Sequence, residues 1–243
     1  MIPKTIHYCW FGGKPKPALV EKCIASWKEY APDYELVEWN ESNYDVDRFS
    51  YSKEAWENQK YAFVSDVARF EILYEQGGIY LDTDVELLKP LEALLENEFF
   101  LGYDQQNNVN PGLIMGSTAG NEWLKKILDQ YRKIHFLLPS GRPDLTTVVT
   151  RTSELLMENG IELNGHLFHD DQITLYPSFY FDPLSFETGL LSVTDETFSI
   201  HHYAASWKTD TDWVLYRIGK VIKRILGERV YRTLASLKHR LYG

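Results

Sequence analysis

The stretch Tyr61–Val85 (YAFVSDVARFEILYEQGGIYLDTDV) constrains this chain more than any other, because three structural signals follow one another without a gap. Apolar residues from Phe63 to Tyr74 recur at i, i+4, i+7 and i+11, which predicts an amphipathic helix. Gly77-Gly78 predicts the end of that helix, since glycine adopts the left-handed conformation without a Cβ clash. The apolar run Ile79–Leu81 then predicts a short strand buried in a sheet.

Two carboxylates, Asp82 and Asp84, follow this strand directly. The alternation of extended backbone sends both to the same side of the sheet edge, where open α/β sheets gather their ligands. Mg²⁺ and Mn²⁺ prefer carboxylate oxygen and are commonly held by one or two carboxylates together with substrate phosphates. The pair therefore suits a divalent ion that holds a diphosphate, although an isolated acidic triplet is more often a solvated turn.

The predicted helix adds Ser65, Asp66 and Arg69 to this region. Asp66 and Arg69 are three positions apart and are therefore neighbours on one helix face. One interpretation is an ordinary surface ion pair, which contributes little to stability. The other is a cluster of polar groups beside the two carboxylates.

The motifs resemble a known enzyme family. The order A-x-x-S-D-x-x-R and then L-Y-x-x-G-G-I-Y-L-D-x-D, from Ala62 to Asp84, resembles the DxD sugar-transfer region of glycosyltransferase family 32. The N-terminal I-P-K-x-I-H-Y-x-W-F-G-G, from Ile2 to Gly13, is a second match. That family holds bacterial capsule and lipopolysaccharide glycosyltransferases and Och1-like mannosyltransferases, and the glucosylating toxins of clostridia share the block more distantly.

Length and pattern predict one α/β domain. A chain of 243 residues can bury a sizeable core, and strand, helix and strand patterns at 4–11, 17–30 and 34–39 predict a parallel sheet built from βαβ units. The resemblance implies a GT-A-type nucleotide-diphospho-sugar transferase fold over residues 1–212, with a mostly parallel central sheet flanked by helices. We further expect polar turns at 40–52, a short helix within 85–95, a strand at 99–103, helices at 121–135 and 146–159, and a strand-like run ending at the consecutive histidines.

The resemblance also implies roles for individual residues. Asp84 would hold the ion, helped by Asp82 and by one of His201 and His202, of which His201 is favoured. The other side chains would bind the ribose, the sugar hydroxyls and the nucleobase. The predicted catalytic residues are Asp66, Arg69, Asp82 and Asp84, and the predicted donor-binding residues are Trp10, Ser65, Asp66, Arg69, Tyr80, Asp82, Asn110 and Trp207.

Several polar or aromatic residues also have a purely structural interpretation. Trp10 could be a core aromatic instead of a base-stacking residue, and for His7 we favour a hydrogen-bonded strand histidine. His169-Asp170-Asp171 predicts a solvated turn, because adjacent residues on an extended segment point to opposite faces and rarely share an ion. The aromatic segment Ile173–Phe186 either walls the acceptor side or packs loops over the sheet.

Charge is distributed unevenly along the chain. Residues 213–243 hold eight Lys/Arg and one acidic residue, whereas the net charge of the whole chain is −10. The acidic remainder disfavours nucleic acid as a partner. The basic residues of 213–243 surround an apolar stripe at helical spacing, which is typical of an amphipathic helix on an anionic membrane surface. A helix that packs on the acidic body is the alternative.

These observations predict a metal-dependent glycosyltransferase that uses Mn²⁺ or Mg²⁺. The donor would be a nucleotide diphosphate hexose, UDP-linked by preference or GDP-linked, and the acceptor a glycan or lipid-linked glycan in capsule or lipopolysaccharide synthesis. The resemblance implies retention of anomeric configuration. A carbohydrate-binding or sugar-nucleotide-binding protein without transfer activity and a glycoside hydrolase remain alternatives.

Two cysteines, with neither a secretory signal nor a membrane-spanning run, predict a cytoplasmic location, peripheral to the inner face of the plasma membrane if 213–243 binds lipid.

Overall fold

The computed structural model describes residues 1–186 and 188–204. Trp207 and the predicted tail at 213–243 lie outside the described residues. Within the described part, none of the helices combines the length and the apolar character that a membrane crossing requires.

Nine strands and five α-helices occupy the described part of the chain. The strands are β1 (Thr5–Cys9), β2 (Glu35–Trp39), β3 (Gly78–Tyr80), β4 (Val85–Leu87), β5 (Phe99–Gly102), β6 (Met115–Ser117), β7 (Phe168–His169), β8 (Thr174–Tyr176) and β9 (Ser199–His201). The helices are α1 (Ala18–Tyr30), α2 (Ser50–Glu57), α3 (Tyr61–Gln76), α4 (Glu122–Tyr131) and α5 (Val148–Glu158). Short 3-10 helices lie at Val46–Arg48, Glu92–Leu94 and Ser178–Tyr180.

Seven strands form the central sheet in the order β2-β1-β3-β6-β5-β8-β7. β1 is parallel to both β2 and β3, and β5 is parallel to β8, whereas β6 and β7 are antiparallel to their neighbours. Five of the seven strands consequently point the same way, which confirms the predicted mostly parallel sheet. The carboxyl ends of β1, β2 and β3 lie side by side, so the segments that follow these strands start at one edge.

The core lies on both faces of this sheet. On one face α3 is buried along most of its length and packs in one apolar cluster with residues of α2, α4 and α5. On the other face Cys23 and Trp27 of α1 share a cluster with Ile79 and Leu81. Tyr80 joins the first cluster instead, as strand alternation requires. The short apolar run after the glycines is therefore buried because both of its faces are covered.

A second, two-stranded sheet places the C-terminal histidines. β4 and β9 pair in antiparallel orientation with Val85 opposite His201. The Trp27 indole N–H donates to the Val85 carbonyl at 2.7 Å and ties this small sheet to α1. The sequence predicts a strand-like run at β9 but no strand at β4. The pairing brings His201 next to the residues that follow β3.

The predicted turn region 40–52 was wrong at its C-terminal end, where α2 begins at Ser50. The buried side of α2 includes a polar residue, Ser52, which hides its amphipathic pattern from the sequence. The Ser52 hydroxyl is satisfied by donating to the carbonyls of Val46 and Phe49, at 2.8 and 3.1 Å. The expected helices in 121–135 and 146–159 are confirmed as α4 and α5, each a few residues shorter than predicted.

His7 is a hydrogen-bonded strand histidine, as favoured from the sequence. It is fully buried in β1, and the Trp39 indole N–H donates to its Nδ1 at 3.2 Å. Its Nε2 lies 3.0 Å from the Gly77 carbonyl and therefore carries the hydrogen. Burial lowers the pKa of His7 to about 4, so the ring is neutral at physiological pH.

Gly78, the first residue of β3, has no room for a side chain. Its φ is +100°, and a Cβ there would lie 2.8 Å from the Thr5 carbonyl oxygen and 2.9 Å from His7 Nε2. The close approach of β1 to the start of β3 therefore requires glycine at this position.

We predict that Gly78→Ala lowers the free energy of unfolding by about 3 kcal/mol, because left-handed strain and overpacking act together. Gly141→Ala is the matched control. Gly141 also has a positive φ, +76°, but no atom of a described residue lies within 4 Å of the position that a Cβ would take. It should cost about 1 kcal/mol from backbone strain alone. Urea denaturation measures both values, and equal losses would contradict this account of the β1–β3 contact.

Candidate active site

Three side chains of metal-ligand type meet at the carboxyl end of β3. Asp82 and Asp84 follow that strand, and His201 is the last residue of β9. One ligand atom from each of the three lies within 4.8 Å of the other two. The two sheets thus converge on a single cluster, with the carboxylates from one segment and the imidazole from another.

Asp84 is held by groups from the end of β9. His201 Nε2 lies 3.2 Å from its Oδ1, and the backbone N–H of Ala204 donates to its Oδ2 at 2.7 Å. The backbone N–H of His202 donates to its carbonyl oxygen at 2.9 Å. Burial opposes ionisation of Asp84, but the charge and hydrogen bond of His201 and the Ala204 N–H outweigh it and lower the pKa of Asp84 to about 2. Asp84 is therefore a carboxylate at neutral pH.

Arg69 is buried between two of the carboxylates. It is 4% exposed, and its Nη2 lies 2.9 Å from Asp66 Oδ1 and 3.3 Å from Asp82 Oδ1. Nη1 donates to Asp82 Oδ2 at 3.3 Å, and Nε donates to the Ser65 carbonyl at 3.1 Å. The guanidinium carbon lies 5.0 Å from the centre of the Tyr80 ring. The Asp66–Arg69 pair is consequently part of the cluster beside Asp82 and not a surface ion pair.

Burial makes Asp66 and Asp82 difficult to ionise. It raises the pKa of Asp66 to about 6, even though the Arg69 charge acts in the opposite direction. It also raises the pKa of Asp82, where Arg69 opposes the shift and the neighbouring Asp84 charge adds to it. A further positive charge placed beside Asp66 and Asp82 would lower the pKa of both carboxyl groups.

The donor set fits a divalent cation. Two carboxylates and one imidazole are ligands that Mn²⁺ and Mg²⁺ accept, with the carboxylates contributing most of the affinity. Nε2 is the His201 ring nitrogen turned toward the carboxylates, 3.2 Å from Asp84 Oδ1. Nδ1 is buried and has no hydrogen-bond partner among the described residues. The Asp82 side chain keeps 26% of its surface exposed, which leaves the cluster open to a ligand.

Comparison with known proteins gives this cluster a family context. Residues 17–101 match the family described as "Glycosyltransferase sugar-binding region containing DXD motif", and Asp82 and Asp84 lie inside the matched range. The matched range, which is less than half of the chain, is similar to a DXD sugar-binding region. The match confirms the resemblance to glycosyltransferase family 32.

Among the proteins similar to this chain are the inositol phosphoceramide mannosyltransferases 1 and 3 of Schizosaccharomyces pombe and a protein of Legionella pneumophila. Inositol phosphoceramide mannosyltransferase 3 of Schizosaccharomyces pombe is 28% identical over 144 residues, covering 56% of this chain and 38% of the relative. Subversion of eukaryotic traffic protein A of Legionella pneumophila is 26% identical over 203 residues, covering 69% of this chain and 31% of the relative. This chain thus spans about a third of the length of the curated relatives it matches.

The PaToxG glycosyltransferase structure superposes with a TM-score of 0.50 at 19% identity, covering 65% of this chain and 69% of that chain. At this identity the likeness concerns the fold. It confirms the GT-A-type fold that the sequence analysis expected.

Of the two histidines, only His201 faces the DXD carboxylates. His202 was included in the predicted metal set, but its Nε2 lies 2.7 Å from Glu86 Oε2. The same carboxylate oxygen also forms an ion pair with Lys22 Nζ at 2.7 Å. Strand alternation is the reason, because consecutive residues at the end of β9 turn to opposite sides. The structure therefore places His202 outside the cluster, in a polar group on the outer side of β4.

The remaining predicted donor-binding residues differ in their hydrogen-bond partners. Asn110 is buried, and its Oδ1 accepts the Gly112 N–H at 2.9 Å next to Asp82. The Ser65 hydroxyl donates to the Tyr61 carbonyl of its own helix at 3.2 Å. Trp10 is partly exposed, and its indole N–H donates to the Lys14 carbonyl at 2.6 Å. Trp10 therefore belongs to the loop after β1 and not to the cluster itself.

Gly112 lies against Asp82 of the cluster, although nothing in the sequence singled it out. A Cβ at this position would lie 2.5 Å from Asp82 Oδ2, 3.1 Å from Asn110 Oδ1 and 3.5 Å from Arg69 Nη1. The backbone can approach the carboxylate this closely only because the residue is glycine. The turn signal Asn110-Pro111-Gly112 was visible in the sequence, but its proximity to Asp82 was not.

We predict that Arg69→Gln lowers the free energy of unfolding by about 3 kcal/mol or more, because the buried Asp66 and the partly exposed Asp82 lose a buried cation. Lys125→Gln is the matched control. Glu122 and Lys125 are also three residues apart on a helix, but they are exposed and 3.9 Å apart. Loss of this ion pair should lower the free energy of unfolding by at most about 0.5 kcal/mol. Chemical denaturation in metal-free buffer measures both, and a small effect of Arg69→Gln would show that the carboxylates do not depend on it.

Proposed function

We propose that this protein is a metal-dependent glycosyltransferase that moves a hexose from a nucleotide diphosphate sugar to a hydroxyl of a glycan acceptor. The observation that carries the proposal is the convergence of Asp82, Asp84 and His201 at the carboxyl end of β3. The DXD family match over the same segment supports it.

Asp84, Asp82 and His201 would hold the divalent ion, Mn²⁺ or Mg²⁺. When bound, the ion neutralises the negative charge that develops on the departing nucleoside diphosphate. Asp84 is suited to this role because its carboxylate is ionised and is fixed by the Ala204 N–H. His201 would contribute Nε2 as a neutral ring nitrogen, since a metal-binding histidine must be unprotonated at that atom.

The buried acid–arginine group would orient the donor. Asp66 and Arg69 would fix hydroxyl groups of the hexose, and Asp82 with Tyr80 would contact the sugar and the ribose. Because Arg69 is locked between two carboxylates, these groups are pre-organised and contribute by orientation. Trp10, partly exposed in the loop after β1, would stack on the nucleobase. Ser65, Asn110 and Trp207 complete the proposed donor-binding set.

Retention of anomeric configuration is part of the proposal and follows from the family resemblance. No dedicated protein base is then required, because an oxygen of the departing diphosphate receives the proton of the acceptor hydroxyl on the same face of the sugar. The new glycosidic bond forms as the bond between the anomeric carbon and the diphosphate oxygen breaks. NMR of the product measures the anomeric linkage, and an inverted linkage would overturn this part.

The proposed donor is a UDP-hexose, with a GDP-hexose as the other option, and the proposed acceptor is a glycan or lipid-linked glycan of a cell-surface polysaccharide. Two relatives are named inositol phosphoceramide mannosyltransferases, which supports a hexose and an acceptor attached to a lipid. The proposed location is cytoplasmic, at the inner face of the plasma membrane.

The donor proposal predicts ion-dependent binding of one sugar nucleotide. Wild-type protein should be stabilised in a thermal-shift screen by a UDP- or GDP-hexose only when Mn²⁺ or Mg²⁺ is present. Asp84→Asn should lose this stabilisation, with at least a tenfold weaker affinity by calorimetry, because one of two carboxylate ligands is gone. His202→Gln is the matched control and should bind as the wild type does, since His202 contacts Glu86 instead of the cluster.

Three outcomes would contradict this proposal. Glycan binding that is indifferent to chelator and to Asp84→Asn would indicate a carbohydrate-binding protein without transfer activity. Hydrolysis of an oligosaccharide in the absence of nucleotide would indicate a glycoside hydrolase. Equal loss in Asp84→Asn and His202→Gln would show that general destabilisation, and not the cluster, is responsible.

We also propose that 213–243 attaches the protein to an anionic membrane surface, a proposal supported by its charge and apolar spacing in the sequence alone. The full chain should co-sediment with vesicles that contain phosphatidylserine, whereas a chain ending at Asp212 should not. Co-sedimentation should weaken at high salt, because the attraction is electrostatic. Equal sedimentation of the two chains would contradict the proposal.

A further inference from the structure

Tyr203 has an unusual backbone conformation immediately after β9. Its φ is +51°, in the left-handed region that residues other than glycine adopt only where their surroundings enforce it. The next residue, Ala204, uses the resulting turn to direct its N–H to Asp84 Oδ2 at 2.7 Å. The conformation of Tyr203 is thus coupled to the position of an Asp84 oxygen.

The Tyr203 ring also contacts the histidine of the cluster. It meets the His201 ring edge to face, with 4.2 Å between ring centroids and an interplanar angle of 66°. The Phe186 ring lies 5.0 Å from the Tyr203 ring at 59°. A ring packed this closely restricts rotation of the imidazole. Tyr203 therefore acts on His201 and on Asp84 at the same time.

Asp182 lies behind Tyr203, in the segment that follows β8. It is 1% exposed, and the Gln105 backbone N–H donates to its Oδ2 at 3.2 Å. The Gln105 side-chain amide donates to the Asp182 carbonyl at 3.0 Å, so the segment is anchored at two points. Burial raises the pKa of the Tyr203 hydroxyl, and the nearby Asp182 carboxylate adds to this shift. A buried acid, fixed to the body of the protein, thus lies near Tyr203.

Two buried polar atoms remain in this group without a hydrogen bond of normal distance and angle to any described residue. They are Oδ1 of Asp182 and Nδ1 of His201. Histidines that bind metal through one ring nitrogen commonly have the other held by a carboxylate, a carbonyl or a water. Nδ1 of His201 has no such bond among the described residues, so the ring is held by its packing against Tyr203 together with the contact of Nε2 with Asp84.

We propose that Tyr203, anchored by Asp182, is a positioning residue for the Asp82–Asp84–His201 cluster. Its ring orients His201 so that Nε2 faces the carboxylates, and its left-handed backbone holds the Ala204 N–H on Asp84. Neither Tyr203 nor Asp182 is placed in contact with the donor or the ion. The inference deepens the proposed function and rests on it only where it concerns ion binding.

Tyr203→Phe and Asp182→Asn test the anchoring. Each should weaken Mn²⁺ binding about tenfold in calorimetry, as loss of an outer-shell partner typically does. The double variant should be no weaker than the weaker-binding single variant, because the two residues act as one unit. Tyr180→Phe is the matched control. Tyr180 stacks on Phe198 in the neighbouring aromatic group, so removal of its hydroxyl should change Mn²⁺ affinity less than twofold. Wild-type Mn²⁺ affinity in both test variants would overturn the proposal.

A second measurement in metal-free protein separates this inference from the proposed function. The ¹⁵N NMR signals of the His201 imidazole should shift or broaden in Tyr203→Phe and in Asp182→Asn, and should stay unchanged in Tyr180→Phe. The same spectra show whether each variant is folded. If wild-type protein bound no Mn²⁺, the proposed function would fail, while responsive His201 signals would still support the positioning role. Unchanged His201 signals in both test variants would overturn it.

Discussion

The site depends first on the burial of the Arg69 guanidinium between Asp66 and Asp82. An isolated carboxylate at this depth would take up a proton, as the raised pKa of Asp66 shows even with Arg69 beside it. Arg69 keeps the carboxylates in fixed positions by donating from Nη1 to Asp82 and from Nη2 to Asp66, while its Nε donates to the Ser65 carbonyl. Helix α3 supplies both Asp66 and Arg69, so a helix that is buried along most of its length also supplies the polar groups beside Asp82.

The second requirement is that a distant part of the chain completes the cluster. β9 pairs with β4, which begins directly after the carboxylates, and this register places His201 beside Asp84. The same register turns His202 toward Glu86. One short antiparallel pairing therefore decides which histidine faces the carboxylates, and the left-handed turn at Tyr203 returns the chain to Asp84 once more.

The sequence predicted those parts of the fold that depend on local pattern. Helix α3, its glycine stop and strand β3 followed from spacing, and the shared side of Asp82 and Asp84 followed from strand alternation. Strand β4 was missed because three residues carry little periodicity and their partner lies far along the chain. Asp182 was not singled out because its importance comes only from burial behind Tyr203. Gly112 was missed because close approach to Asp82 is a property of the folded chain.

The most direct test of the central claim is to locate the ion. Crystals of the protein soaked with MnCl₂ and a sugar nucleotide, or its diphosphate product, can be measured above and below the manganese absorption edge. The account predicts one strong anomalous peak within coordination distance of Asp84 and His201, with Asp82 on the same side and His202 outside the shell. No peak at this cluster in crystals that contain the bound nucleotide, or a peak elsewhere, would contradict it.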